Sequence, residues 1–202
     1  MHAALTTPPR RRKKVPSYLV YEVMDGTPLY YKGYKDVLCN KKTPEEIMGA
    51  SSLQAVLISY IMQTILQFLN TKVYRVLVSE PGLHIDHRNN LSGDLLIYHK
   101  QTLTPSKINT HYADVPAFIH IEVDIAADLN QGSDHEYVSK KINKLHAFGT
   151  HKVIWVFTAS QKVLVAHAGQ DWLWIDWNKT VEIMEGHGFC IGQYLAAEGI
   201  TI

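Results

Sequence analysis

Residues 116–158, PAFIHIEVDIAADLNQGSDHEYVSKKINKLHAFGTHKVIWVFT, decide the fold. After Pro116, Ala117 to Val123 is an apolar run rich in β-formers and reads as a central strand. From Asp134 to Phe148 the apolar residues Tyr137, Ile142, Leu145 and Phe148 recur at helical spacing, and Gly149 closes the helix as a C-cap. Val153-Ile154-Trp155-Val156-Phe157 follows as a buried strand.

Upstream, Asp94-Leu95-Leu96-Ile97-Tyr98 reads as a short strand, and Val73 to Val78 and Leu83 to Ile85 as strands broken by Pro81-Gly82. Before them Thr43-Pro44-Glu45-Glu46 has the chemistry of a helix start: Thr43 caps, Pro44 fits the first helical position, and Glu46 lies three residues after the cap. Leu53, Val56, Leu57, Tyr60, Ile61, Thr64, Ile65, Phe68 and Leu69 continue at helical spacing, predicting one long helix that ends near Asn70. Still earlier, Asp25-Gly26 predicts a turn between extended segments that form an edge. Downstream, Val163 to Ala166 and Trp172 to Trp177 read as strands, and Phe189 to Ala197 as a last short helix closed by Gly199.

This order predicts an α/β fold, a mixed β-sheet flanked by helices with a C-terminal antiparallel extension. No internal repeat and no interior linker divides the chain, so residues 17–202 are expected to form one domain. Residues 1–16 hold three of the eight prolines and the run Arg10-Arg11-Arg12-Lys13-Lys14, and are expected to be a flexible basic arm.

The 202 residues are 46% hydrophobic and 19% charged, which excludes disordered and collagen-like classes. Twenty basic residues against nineteen acidic give a net charge of +1, with no global basic field. That balance conceals an asymmetry: no acidic residue precedes Glu22, so the chain from Val15 onward carries fifteen basic and nineteen acidic residues, a net −4. Cys39 and Cys190 are too few and too far apart for a disulfide framework or a Cys-rich zinc site, so a reducing cytoplasm is the expected home. Ala55 to Leu69, the most apolar stretch, is interrupted by Ser59, Gln63, Thr64 and Gln67 and is too short and polar to cross about 30 Å of hydrocarbon. No membrane segment is expected.

Three polar residues stand out against the apolar pattern. Asp94 opens one strand, Glu122 closes the strand AFIHIEV, and Lys141 lies on the helix that follows. A carboxylate at the end of an apolar strand is costly to bury unless it is paired or binds a cation. Two of them on neighbouring strands make a hard-oxygen site suited to magnesium, and a nearby ammonium stabilises charge on a phosphate or orients a water. Each residue alone also has a plain reading: Asp94 as a turn cap, Glu122 as a solvated strand end, Lys141 as an exposed helix charge. Lys144, three residues on, shares a helix face with Lys141, and Asp124 shares a sheet face with Glu122 under strict alternation, so both compete for a place in the site. His84 with His87, His187 with Cys190, and Trp172, Trp174 and Trp177 offer weaker alternatives as metal ligands, nucleophile pair and base-stacking surface; surface histidines, a buried cysteine, and core or dimer tryptophans are the readings their spacing favours.

The runs PAFIHIEVDIAADLN and KKINKLHAFGTHKVIWVFT, read with Asp94, resemble the Uma-two family of endonucleases within the PD-(D/E)XK, or restriction-endonuclease-like, superfamily. The matching positions are Asp94, Glu122-Val123, Lys141, Leu145, Gly149 and Trp155, and Tyr21-Glu22 with Asp25-Gly26 look like the family's opening segment. The resemblance implies a restriction-endonuclease-like fold and metal-dependent hydrolysis of DNA. It further implies that Asp94, Glu122 and the backbone carbonyl of Val123 bind Mg2+, with Mn2+ able to substitute, and that Lys141 completes the site. At two positions the chain departs from the superfamily pattern. Asp124 stands where the E-X-K motif has Lys, so the lysine comes from the helix, and Gly93 precedes Asp94 where the superfamily has Pro. A catalytically degraded nucleic-acid-binding or assembly protein of the same fold is the alternative, and a hydrolase of small phosphate esters a third. A homodimer would let two sites address two DNA strands.

Overall fold

A computed structural model describes residues 14–124 and 132–202; most of the basic arm, residues 1–13, lies outside the described residues. The chain begins with the hairpin β1 (Val20–Met24) and β2 (Thr27–Tyr30), turning at Asp25-Gly26, whose φ values of 54° and 75° are those of a tight hairpin turn. The short helices α1 (Tyr34–Leu38) and α2 (Glu45–Met48) lead to α3 (Ser52–Phe68). Then come β3 (Tyr74–Val78), β4 (Gly82–Asp86), β5 (Asn89–Ser92), β6 (Leu95–His99) and β7 (Ile119–Asp124). Helix α4 (Gly132–Phe148) precedes β8 (Lys152–Phe157), β9 (Lys162–His167) and β10 (Leu173–Asp176). The hairpin β11 (Val181–Met184) and β12 (His187–Phe189) and helix α5 (Ile191–Ala197) complete the chain.

Six strands form the central sheet in the order β10-β9-β8-β7-β6-β3. Only the β7–β8 pair is parallel, and α4 makes the crossover between these two strands. β9 and β10 add antiparallel, which is the C-terminal extension expected from the sequence. The strands alternate their side chains between two cores. Leu95, Ile97, Ile119, Ile121, Ile154 and Val156 pack with Leu57, Ile61 and Ile65 of α3 and with Ile191 and Leu195 of α5. On the other face Leu96, Tyr98, Val153, Trp155 and Phe157 pack with Val138, Ile142 and Leu145 of α4, and with Met24, Leu83 and Leu91 from a second sheet ordered β2-β1-β5-β4. β2 is an edge of this second sheet, as expected.

The single long helix expected from Thr43 is two helices. Gly49 adopts an extended φ, ψ of −82°, 147° after α2, and Ser51 starts α3 afresh, its side chain accepting a hydrogen bond from Gln54 N at 3.2 Å. The Thr43 signal is real but local, since Glu46 Oε2 accepts from Thr43 N at 2.6 Å and the helix it begins is one turn long. β5, β11 and β12 were not expected. β5 has only the four residues NNLS, and the other two are short strands paired mainly with each other.

Candidate active site

The site lies where β6 begins beside β7. Asp94 N donates to Ile121 O at 3.1 Å as the ladder starts, and the Asp94 side chain turns back so that Oδ2 accepts from Val123 N at 2.7 Å. Gln54, in the first turn of α3, approaches Oδ1 with Nε2 at 3.4 Å. In a strand the N–H and C=O of one residue point the same way, so the Val123 carbonyl lies on the edge of β7 that faces Asp94. Glu122 and His120 lie on the opposite sheet face from Val123 and Ile121, toward α4.

Lys141 comes up from α4 to meet Glu122. Its Nζ is 2.6 Å from Glu122 Oε1 and 2.7 Å from Glu22 Oε1, and it donates to the Tyr137 hydroxyl at 3.3 Å. All three ammonium N–H groups are thereby used. The rings of Tyr21, Tyr137 and Trp155 surround the ammonium with centroids 5.9, 5.7 and 5.4 Å away, within range of cation–π attraction. Glu22 is further fixed by Ser92 N at 2.8 Å and by the Tyr137 hydroxyl at 2.8 Å. His120 Nε2 stands 2.6 Å from Glu122 Oε1.

These groups are almost withdrawn from water: Lys141 and His120 are 0% exposed, Glu22 3%, Glu122 5% and Asp94 7%. Burial, and next the Glu122 carboxylate, raise the Asp94 pKa to about 7, against a smaller lowering by the Val123 N–H. Glu122 is also raised to about 7, by burial and by Glu22, against the attraction of Lys141. Burial and Lys141 push the His120 imidazole well below its ordinary pKa, so the ring is uncharged and its contact with Glu122 is a hydrogen bond and not an ion pair. Lys141 is held above its ordinary value because Glu122 and Glu22 outweigh its burial.

The sequence candidates Asp94, Glu122 and Val123 thus line one cavity of about 610 Å3, walled also by Tyr30, Tyr31, Met48, Gln54 and Glu80, and Lys141 stands behind it, fully buried against Glu122. Asp124 ends β7, half-buried, and also lines this cavity. Lys144 is not in the cluster: its Nζ pairs with Asp25 Oδ1 at 2.6 Å on the outside of the β1–β2 turn. Lys140 is exposed and pairs with Glu136. Glu122 is an interior residue of β7 rather than its last. Of the weaker candidates, His84 bonds Asn90 near the surface, His187 stacks on Phe68, Cys190 and Trp177 are buried, and Trp174 is exposed on the edge strand β10.

Glu22, His120, Tyr137 and Glu80 were not singled out as site residues. Glu22 carries the same signal as Glu122, a carboxylate inside the apolar strand VYEVM. Tyr137 precedes Lys141 by one helical turn, and His120 precedes Glu122 by one strand period. Glu80 had no such signal: it reaches the cavity from a turn in which Ser79 and Glu80 have φ values of 70° and 52°. Its carboxyl is raised by burial and by Glu122.

Among the described residues, no three His, Cys, Asp or Glu side chains form a group able to hold a metal by themselves, and no helix is long and apolar enough to cross a membrane. No family model matches the chain, and no curated protein matches it in sequence. Among solved structures the chain is similar to a putative nuclease belonging to DUF820 from Anabaena variabilis ATCC 29413, with a TM-score of 0.59 at 13% identity, over 87% of this chain and 89% of that one. DUF820 is the Uma-two family. The chain has the restriction-endonuclease-like α/β fold of this Uma-two protein.

Proposed function

We propose that the chain is a nuclease that hydrolyses DNA phosphodiester bonds with Mg2+, or Mn2+ in its place, held by Asp94, Glu122 and the Val123 carbonyl. The observation that carries this is a charge imbalance. Three buried carboxylates, Glu22, Asp94 and Glu122, face one ammonium and a neutral imidazole, which leaves two negative charges in excess when all three are ionised. A divalent cation neutralises that excess, and it favours carboxylate and carbonyl oxygens while keeping several waters, so two carboxylates and one carbonyl are a fitting donor set. The similarity to a protein described as a nuclease supports the same reading.

A divalent cation there supplies Lewis-acid polarisation of a phosphoryl oxygen and a more acidic water. The chain's own residues do the rest. Asp94, anchored by Val123 N and Gln54, and Glu122, anchored by Lys141 and His120, present fixed oxygens to the cavity. Lys141 keeps a permanent positive charge beside Glu122, where negative charge on phosphorus oxygens would accumulate. Attraction for DNA must come from the cation, from the five basic residues Arg10 to Lys14 and from a local lysine face, because the rest of the chain is net acidic.

The test is cleavage of labelled single- and double-stranded DNA, RNA and a small phosphodiester by the full chain, with Mg2+, with Mn2+ and with chelator. Metal-dependent cleavage of DNA that Asp94→Asn and Glu122→Gln abolish, with the fold intact, is the expected result. Binding of DNA without cleavage under every metal condition would favour the catalytically degraded alternative, and turnover of the small diester alone would favour the third reading.

A further inference from the structure

We propose that His120 is a positioning residue that fixes which oxygen of Glu122 faces the cavity, and that Gly93 is the gap that admits it. The proposal rests on the metal-site reading above. His120 lies on the same face of β7 as Glu122, fully buried, with Nε2 at 2.6 Å from Glu122 Oε1. Lys141 Nζ meets the same oxygen at 2.6 Å. A carboxylate oxygen that receives two donors from the protein interior is turned inward. Oε2, which has no hydrogen-bond partner among the described residues and does not count among the buried unpaired atoms, is then the oxygen left to the cavity. When Glu122 is ionised, as holding a cation requires, its oxygens only accept, and the ring nitrogen facing Oε1 is the N–H.

The other ring nitrogen shows that this arrangement has a cost. Nδ1 of His120 is buried without a partner among the described residues, whereas an apolar residue between Ile119 and Ile121 would leave nothing unpaired. Packing alone therefore does not account for an imidazole here; the hydrogen bond to Glu122 does.

Gly93 is the second, independent observation. A Cβ on Gly93 would stand 2.5 Å from His120 Cε1, 2.7 Å from its Nε2 and 2.8 Å from Leu96 Cδ2, all closer than real atoms approach, with the imidazole the nearest. The imidazole occupies the volume that any side chain at position 93 would need, directly before Asp94. A side chain at 93 and the His120 imidazole in this position exclude each other.

The experiment uses the full chain and Mn2+ alone as probe, titrated calorimetrically, with Tm recorded for every variant. His120→Met removes the donor but keeps the volume, and His120→Gln restores an N–H at similar reach. The expected result is that H120M stays folded with Mn2+ affinity about tenfold lower, while H120Q recovers it to within about threefold. Unchanged affinity in H120M, or H120Q no better than H120M, overturns the positioning role, since a purely structural histidine would affect Tm and not separate the two variants. Gly93→Ala is expected to lower Tm in the wild-type background and to cost less in a His120→Ala background, where only the Leu96 contact remains; equal losses in both would overturn the claim that the two positions exclude each other. If wild type binds no Mn2+ at all, the metal-site reading falls and takes this proposal with it, whereas binding that H120M shares overturns this proposal alone.

Discussion

Lys141 shows how a charged residue comes to be fully enclosed in the site. With no exposed surface, it has two carboxylates and a phenol for its three N–H groups and three aromatic rings around it. Removing one partner of such a cluster leaves the others buried and unpaired, which is more damaging than losing the whole set. Lys141→Met should therefore cost roughly 3–5 kcal/mol in chemical denaturation, because Glu22 and Glu122 would face each other without a cation. Lys144→Ala, which breaks only the exposed contact with Asp25, should leave the denaturation curve unchanged. A large loss in the second variant and none in the first would reverse the assignment of the two lysines. At this scale the sequence was legible where an apolar strand carried one acid, as at Asp94 and Glu122. The choice between Lys141 and Lys144 was not, since both share a helix face and only the packing of α4 on β7 and β1 separates them.

At the scale of elements, α3 ties the site to the core. Leu57, Ile61 and Ile65 bury its inner stripe, while its first turn brings Gln54 to Asp94. Ser51 holds that turn in place by accepting from Gln54 N. Ser51→Ala should thus cost about 1 kcal/mol of stability by urea denaturation, the ordinary price of a lost N-cap. No change in the urea midpoint would show that the turn is held by its packing alone. The strands around β7 and α4 were readable because long apolar runs and helical spacing are strong signals. The α2–α3 break was not, because the capping chemistry at Thr43 is followed by apolar residues in a compatible period, and a backbone turned outward at Gly49 leaves no mark on that pattern. β5 escaped for a related reason: Asn89-Asn90-Leu91-Ser92 has no strand composition, and its place comes from pairing with β4 and β1.

For the whole molecule, the buried acids predict an unusual pH dependence. Asp94 titrates near 3.8 in an unfolded chain and at about 7 in the fold. Between those values the folded protein keeps a proton that the unfolded chain has released, so its contribution to stability is complete below about pH 4, falls as pH rises through about 7, and is flat beyond. Metal-free wild type should lose Tm relative to Asp94→Asn as pH is raised through this window, and a Tm difference independent of pH would contradict the burial of an acid there. Mn2+ requires the ionised form, so its stabilising effect should be larger at about pH 8 than at about pH 5. The second prediction at this scale concerns the charge asymmetry. A chain lacking residues 1–14 loses five basic residues and no acid, and should bind DNA more weakly with a shallower salt dependence, measured by fluorescence anisotropy across a salt series. Unchanged binding would shift the attraction to the folded face.

The proposed function depends on one cation site, and anomalous diffraction from crystals of the protein soaked in Mn2+ tests it most directly. The account predicts an anomalous peak within coordinating distance of the Asp94 carboxylate, the Glu122 carboxylate and the Val123 carbonyl. Saturating Mn2+ with no peak at those three groups, in crystals where they remain ordered, would contradict it.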